Sequence, residues 1–177
     1  MSGDFLLIRK MKQGDDGAFE LFVRKYYGDI LSYCHYHCPD QEYAEDLTQE
    51  TFARFFAKLS DYRYQGKTKN YLYTVAKNLC RDYFKKSRES PLEDTEFYEE
   101  LGTKDHPAEE IVNRLAVTQA LETLPEELRE VVILYYFQAL KLREIADTLQ
   151  IGLPLVKYRL KQAKLKLAEL LNPNCAS

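Results

Sequence analysis

Between Glu42 and Leu59 the chain reads Glu-Tyr-Ala-Glu-Asp-Leu-Thr-Gln-Glu-Thr-Phe-Ala-Arg-Phe-Phe-Ala-Lys-Leu, with no glycine or proline. An unbroken helix of several turns is the economical fold for such a stretch. At about 100° per residue, Ala44, Leu47, Phe52, Phe55, Phe56 and Leu59 gather into a broad apolar stripe. The other side carries Asp46, Gln49 and Glu50, then the small residues Ala53 and Ala57. A face turned only to water more often has long charged side chains where those alanines stand. A polar triad beside a low alanine track suits a second helix coming close. A solvated amphipathic face is the plainer alternative.

Helical spacing governs the rest of the chain as well. Phe5–Gln13 reads as a short helix closed by Gly14 and the Asp15-Asp16-Gly17 turn, with Asp16 as the expected N-cap of the next helix. There Phe19, Phe22, Val23, Tyr26, Ile30, Tyr33 and Cys34 recur at helical intervals until Pro39-Asp40. An irregular, Tyr- and Lys-rich stretch (60–70) precedes a helix over about Tyr71–Ser87. Beyond Pro107, which suits a first helical turn, come helices carrying Ile111 to Leu121, then Glu126–Phe137, Lys141–Leu149 and about Leu153–Leu171. No strand-like alternation and no repeat period survives. The fold class expected is all-α.

The charge is unevenly spread. From Arg88 to Glu110 nine acids face two bases, a local −7 in a chain of net −3, which leaves +4 elsewhere. Pro91, Gly102 and Pro107 punctuate that segment, and its apolar residues keep no period. It reads as an acidic linker (89–107) between two small helical domains, 1–88 and 108–172. A hydrophobic content of 45%, with 14 Tyr and 9 Phe, is ample for both cores. No run reaches the roughly 18 apolar residues of a membrane span, and no signal-peptide core opens the chain. Four cysteines without framework spacing suit a reducing compartment. A cytoplasmic protein is expected.

Two constellations point toward nucleic acid. On the helix Tyr71–Ser87, Leu72, Val75, Ala76, Leu79 and Tyr83 form a core stripe, while Lys77, Arg81 and Lys85 follow at i, i+4, i+8, continued by Arg88 and flanked by Tyr73 and Phe84. Such a line can track phosphates, and the tyrosines of the preceding loop offer stacking surfaces for unpaired bases. An ordinary basic solvated face is the alternative. The second is Leu-Arg-Glu-Ile-Ala-Asp-Thr-Leu (142–149), a tight Gln150-Ile151-Gly152 turn and a long helix with no acid from Leu153 to Leu167, the layout of a helix-turn-helix. Val156, Leu160, Ala163, Leu167 and Leu170 are expected on its buried side. Lys157, Tyr158, Lys161, Gln162 and Lys164 point elsewhere, with Arg159 and Lys166 on the border. A helical hairpin with a basic outer face is the rival reading.

Cys34-His35-Tyr36-His37-Cys38 invites a metal reading, but neighbours on a helix diverge and four ligands cannot converge on one ion. Partly buried helix residues are the reading preferred. No Gly-rich phosphate loop, nucleophile–base order or catalytic metal spacing occurs. No enzyme activity, metal or cofactor is expected.

Ala44-Glu-Asp-Leu-Thr-Gln-Glu-Thr-Phe52, Tyr71-Leu-Tyr-Thr-Val-Ala-Lys-Asn-Leu-Cys-Arg-Asp82, and Leu124-Pro-Glu-Glu-Leu-Arg129 through Glu144-Ile-Ala146 to Val156-Lys-Tyr-Arg159 together resemble bacterial RNA polymerase sigma factors. The small two-domain extracytoplasmic function (ECF) type is the nearest group, and the resemblance runs in order along nearly the whole chain. It implies a subunit that binds core RNA polymerase and directs promoter-specific initiation. Asp46, Gln49, Glu50 and Phe52 would dock on the clamp coiled coil of the largest subunit. Lys77, Asn78 and Arg81, with Tyr62 and Tyr64 as stacking residues, would open the −10 element and hold an extruded base. Lys157, Tyr158, Arg159, Lys161 and Gln162 would read the −35 element. The partners implied are core polymerase (clamp and flap region), promoter DNA and an anti-sigma factor able to hold the chain near the membrane. A stand-alone helix-turn-helix regulator is the alternative, but it leaves the Asp46 face unused.

Some positions depart from the family pattern. Lys141 replaces the usual Ser or Thr N-cap, which weakens that helix start. Gly152-Leu153-Pro154-Leu155 replaces a Ser-x-Gly-Thr run, and Tyr158 and Gln162 replace a small residue and a base. Tyr71, where Trp is common, keeps an aromatic. These changes bear on the target sequence rather than the fold.

Overall fold

The computed structural model describes residues 3–38, 40–89 and 116–171. The regular structure among them is helical, without a strand. The chain divides into two compact units, Met1–Ser90 with Asp147–Leu149, and Pro91–Ala146 with Gln150–Ser177. Of the acidic connector expected at 89–107, only Glu89 falls within the described residues, as the last residue of a helix. Ile111 and Leu115 also lie outside them.

The first unit contains α1 (Gly3–Lys12), α2 (Asp16–His37), α3 (Gln41–Ala57) and α4 (Thr68–Glu89). Gly14, at φ +83°, closes α1 in a backbone region that favours glycine. Its turn makes Asp15, not the expected Asp16, the N-cap of α2: Asp15 is extended, and its side chain accepts a hydrogen bond from Ala18 N at 3.3 Å. Both aspartates could cap, and the turn decides between them. Asp40 does the same for α3, accepting from Tyr43 N at 3.2 Å. α4 starts a turn earlier than the apolar pattern suggests, because Gly66 (φ +75°) reverses the chain just before buried Thr68. Thr68 Oγ1 and Tyr62 Oη then share a hydrogen bond of 3.2 Å.

Aromatic rings fill this core. Phe22, fully buried, stacks on Phe55 with centroids 4.9 Å apart and meets Phe52 edge-on at 6.2 Å. Tyr33 of α2 meets Tyr73 of α4 edge-on at 5.4 Å. Burying each such ring contributes about 2–3 kcal/mol through area alone. At the edge, buried Asp4 accepts hydrogen bonds from Lys25 Nζ and Tyr26 Oη, which holds α1 on α2. Burial, reinforced by the Asp4 carboxylate, raises the Tyr26 phenol well above its ordinary pKa.

The second unit contains helical residues 116–122 (α5), α6 (Glu126–Val132), α7 (Leu142–Leu149) up to Ala146, and α8 (Leu153–Leu171). The single helix expected over Glu126–Phe137 instead widens after Val132 into a π-helical turn, Ile133–Phe137. Gln138 N reaches back to Ile133 O at 3.0 Å, Leu140 N to Leu134 O at 3.0 Å, and Ala139 takes φ +55° between them. The wider turn lets Ile133, Leu134 and Leu140 all enter the core beside Val131, Ile145 and Val156. Leu170, expected on the buried side of α8, is 50% exposed. α8 is about 28 Å long against about 18 Å for α6 and its π turn, so its last turn outruns their cover.

Candidate functional site

Three surfaces stand out by the side chains they leave exposed. The first is the outer side of α3. Ala44, Phe52 and Phe55 face the core, and the two threonines beside them, Thr48 and Thr51, are satisfied by bonds to the Ala44 and Leu47 carbonyls, both 2.7 Å. With that side filled, Asp46, Gln49, Glu50, Ala53 and Ala57 are left exposed together. Glu50 pairs with Arg54 at 3.1 Å one turn on, both side chains about half exposed. An exposed pair of this kind is worth about 0.3–0.5 kcal/mol, so an incoming cation can replace Arg54 at little cost. Phe52 is 4% exposed and packs on Phe22, Tyr27 and Phe56. It stands behind this face rather than on it, because its position on the helix turns it inward from Glu50.

The second surface joins the 60–67 loop to α1 and α4. Tyr62 does not project as a free stacking ring. It packs on Phe55 (5.1 Å) and Tyr71 (5.3 Å), and its carbonyl accepts from Lys12 Nζ. Burial pushes its phenol pKa up. Tyr64 leans on Phe5 at 5.8 Å. Between α1 and this loop lies a cleft of about 450 Å³, lined among others by Phe5, Arg9, Lys12, Tyr62, Arg63 and Tyr64. The contribution of α1 was missed in the sequence, although its signal, Arg9, Lys10 and Lys12 in the last turn, was present. On α4, Lys77 and Asn78 are half-buried and Arg81 exposed, with Arg81 Nη2 donating to Asn78 Oδ1 at 3.4 Å. Tyr73, expected to flank the basic line, is fully buried against Tyr33. Its position falls on the inner side of α4, next to Leu72 and Ala76. The side chains of Phe84 and Arg88 lie outside the described residues.

The third surface is α7, its turn and α8. Gln150 adopts φ +55°, Ile151 N returns to Ala146 O at 3.1 Å, and Gly152 O accepts from Leu155 N and Val156 N. Gly152 thus starts α8 directly, and Pro154 occupies its first turn, where no donor is lost. Lys157, Tyr158 and Lys161 are exposed, and Gln162 is half-buried. Arg159 differs: its side chain is 19% exposed and lies 3.7 Å from Glu127 of α6. Lys164 Nζ sits over the Tyr136 ring at 5.9 Å. At the start of α7, Lys141 has no capping hydroxyl, but its backbone N–H is held by Glu144 Oε2 at 2.7 Å. Half of a capping box therefore survives.

Among the described residues no helix is long and apolar enough to cross a membrane. Residues 22–90 match the Sigma-70 region 2 family model, and residues 114–167 match Sigma-70, region 4. The RNA polymerase sigma factor YlaC of Bacillus subtilis is 30% identical, the match covering 89% of this chain and 92% of that protein. The RNA polymerase sigma-H factor of Pseudomonas aeruginosa is 28% identical over 96% of this chain and 94% of its own. In fold, the chain is similar to the sigma factor RpoE of Bartonella quintana, solved with the anti-sigma factor NepR: TM-score 0.69, 24% identity, covering 87% of this chain and 96% of that one. Region 2 followed by region 4, in one short chain whose relatives are matched almost end to end, places this protein in the RNA polymerase sigma factors, as a member of their extracytoplasmic function type.

Proposed function

We propose that the chain docks on core RNA polymerase through the α3 face of Asp46, Gln49 and Glu50, with Phe52 bracing that face from behind. The observation that carries this reading is the exposed Ala53–Ala57 track beside the triad, on a helix whose opposite side is filled by its own bundle. Small side chains let another helix approach closely, and the acids attract a basic one. The clamp coiled coil of the largest subunit fits that description.

Promoter DNA falls to the other two surfaces. The cleft between α1 and Tyr62–Tyr64 offers aromatic walls and three cations, a suitable seat for an extruded −10 base and its phosphates. Lys77, Asn78 and Arg81 guide the strand beside it. Lys157, Tyr158, Lys161 and Gln162 enter the −35 major groove, with Arg159 restrained toward Glu127. The chain itself makes no bond; it positions and melts DNA for polymerase. It works in the cytoplasm, and an anti-sigma factor is its expected regulator, as one binds the similar RpoE. A stand-alone regulator would have no use for the α3 face.

Run-off transcription with core polymerase over a pool of promoter fragments tests the reading. Added initiation and co-elution with core are expected; absence of both overturns it.

A further inference from the structure

The first two turns of α8 hold two large apolar side chains out to solvent, Leu155 at 39% and Tyr158 at 59% exposed. A lone exposed apolar residue is ordinary on a protein surface, but these two stand together. Val156, Leu160 and Ala163 are buried and fix the inner side of the helix. At 3.6 residues per turn, Leu155, Tyr158 and Gln162 then share one outer strip, with Lys157 and Lys161 on the strip beside it.

The local backbone leaves Leu155 little room to turn away. Its N–H donates to Gly152 O at 3.1 Å, and Pro154 has its φ fixed just before it. Arg159, one turn on, is the neighbour long enough to lie over Leu155, yet its side chain runs to Glu127 of α6 at 3.7 Å. Leu155 stays bare beside Tyr158.

Charge identifies what fits over the pair. No acid occurs between Leu153 and Leu167, and Lys157, Lys161, Lys164 and Lys166 are all exposed. An apolar pair bordered by cations alone suits a polyanion that carries apolar groups between its phosphates. The major groove of duplex DNA supplies one such group, the C5-methyl of thymine. A helix set in that groove meets base edges with its N-terminal residues, which here are these two.

We propose that Leu155 and Tyr158 are specificity-determining residues that read thymine in the upstream element by closing on its C5-methyl groups. This rests on the entry of α8 into the −35 major groove and names the base edge selected there. The Leu155 side chain has no hydrogen-bonding atom, so it favours a base only by burying apolar surface. Its Cβ stands roughly 5–6 Å from that of Tyr158, a span of one to two base-pair steps of about 3.4 Å. The two side chains therefore reach adjacent or next-adjacent pairs. Gln162, about 6 Å further along the strip, brings an amide suited to adenine N7 and N6. The strip as a whole favours A·T pairs, while the lysines grip phosphates whatever the sequence.

Replacing thymine by deoxyuridine removes the methyl and nothing else. Holoenzyme formed from the full chain and core polymerase is first used to select duplex fragments from a pool randomised upstream. Each thymine of the selected element is then changed to deoxyuridine, and affinity is measured by fluorescence anisotropy. At one or two positions the change should weaken binding about fourfold per methyl. Leu155→Ala and Tyr158→Ala should each weaken binding to the thymine fragment and abolish the uracil effect at one of those positions, a non-additive pairing of methyl and side chain. Leu155→Met, which keeps the apolar surface, should retain the effect. Uracil tolerated at every position, a selected element without thymine, or a methyl effect undiminished in the double alanine variant would each overturn the proposal while leaving α8 a DNA-binding helix. A holoenzyme that selects no fragment at all overturns the promoter reading itself, and this inference with it.

Discussion

The Glu144 carboxylate accepts a hydrogen bond from the Lys141 backbone N–H at 2.7 Å, so the first helix of the helix-turn-helix keeps the reciprocal half of a capping box whose leading hydroxyl is absent. Supplying that hydroxyl should complete the box. Lys141→Ser is expected to stabilise the protein by about 0.5–1 kcal/mol, and Glu144→Ala to cost about 1 kcal/mol. Thermal unfolding of the full chain checks both. A serine that lowers the melting temperature would show that the N–H of the first turn is already satisfied elsewhere.

On α3, Asp46→Ala with Glu50→Ala removes two exposed acids and no core atom. Stability should stay within about 0.5 kcal/mol of the parent, since such surface changes rarely exceed that. Affinity for core polymerase should nonetheless fall at least tenfold, measured by competition with the unaltered chain. Phe52→Ala should behave in the opposite manner, costing about 3–5 kcal/mol of stability because it opens a cavity beside Phe22. Unchanged core binding by the double alanine variant would remove Asp46 and Glu50 from the interface.

The all-α class, the helices and the ordered region 2 and region 4 motifs were legible because apolar spacing repeats at the helical period through both units. The π turn at Ile133–Phe137 was not. A widened turn keeps the same apolar residues and only shifts which of them point inward, so no single residue type announces it. Tyr73 was misplaced for a related reason: Tyr is read as a surface ring, yet here it is fully buried against Tyr33, while half-buried Tyr62 joins a chain of aromatics from Phe22 to Tyr71. The α1 cleft depends on a loop meeting a helix some fifty residues away, a relationship that local periodicity does not carry.

Gln150 turns the chain between α7 and α8 at φ +55°, a conformation for which glycine has no steric cost. Ala139, after the π turn, is held at the same φ. Gln150→Gly should therefore stabilise the chain by about 1 kcal/mol, offset by a few tenths from the freer unfolded backbone. Ala139→Gly should follow the same sign. Equilibrium denaturant unfolding measures the change, which should move the midpoint without altering the slope. Loss of stability on either substitution would mean that the side chain, not the backbone, sets the turn.

Lys157 and Lys161 are exposed on successive turns of α8, whereas Arg159 leans toward Glu127. If the first two touch phosphates, each contributes one released counterion. The slope of log affinity against log salt should then become shallower by about 0.9 for each replaced lysine. Lys157→Ala with Lys161→Ala should weaken binding to all upstream sequences alike, read by fluorescence anisotropy of the holoenzyme on duplex fragments across a salt series. Tyr158→Ala should instead change which sequence is preferred and leave the slope alone, because a side chain without charge releases no ion. Arg159→Ala should lower the slope by less than either lysine, since its charge is already partly balanced by Glu127. A full unit lost at Arg159 would show that the guanidinium leaves Glu127 when DNA arrives.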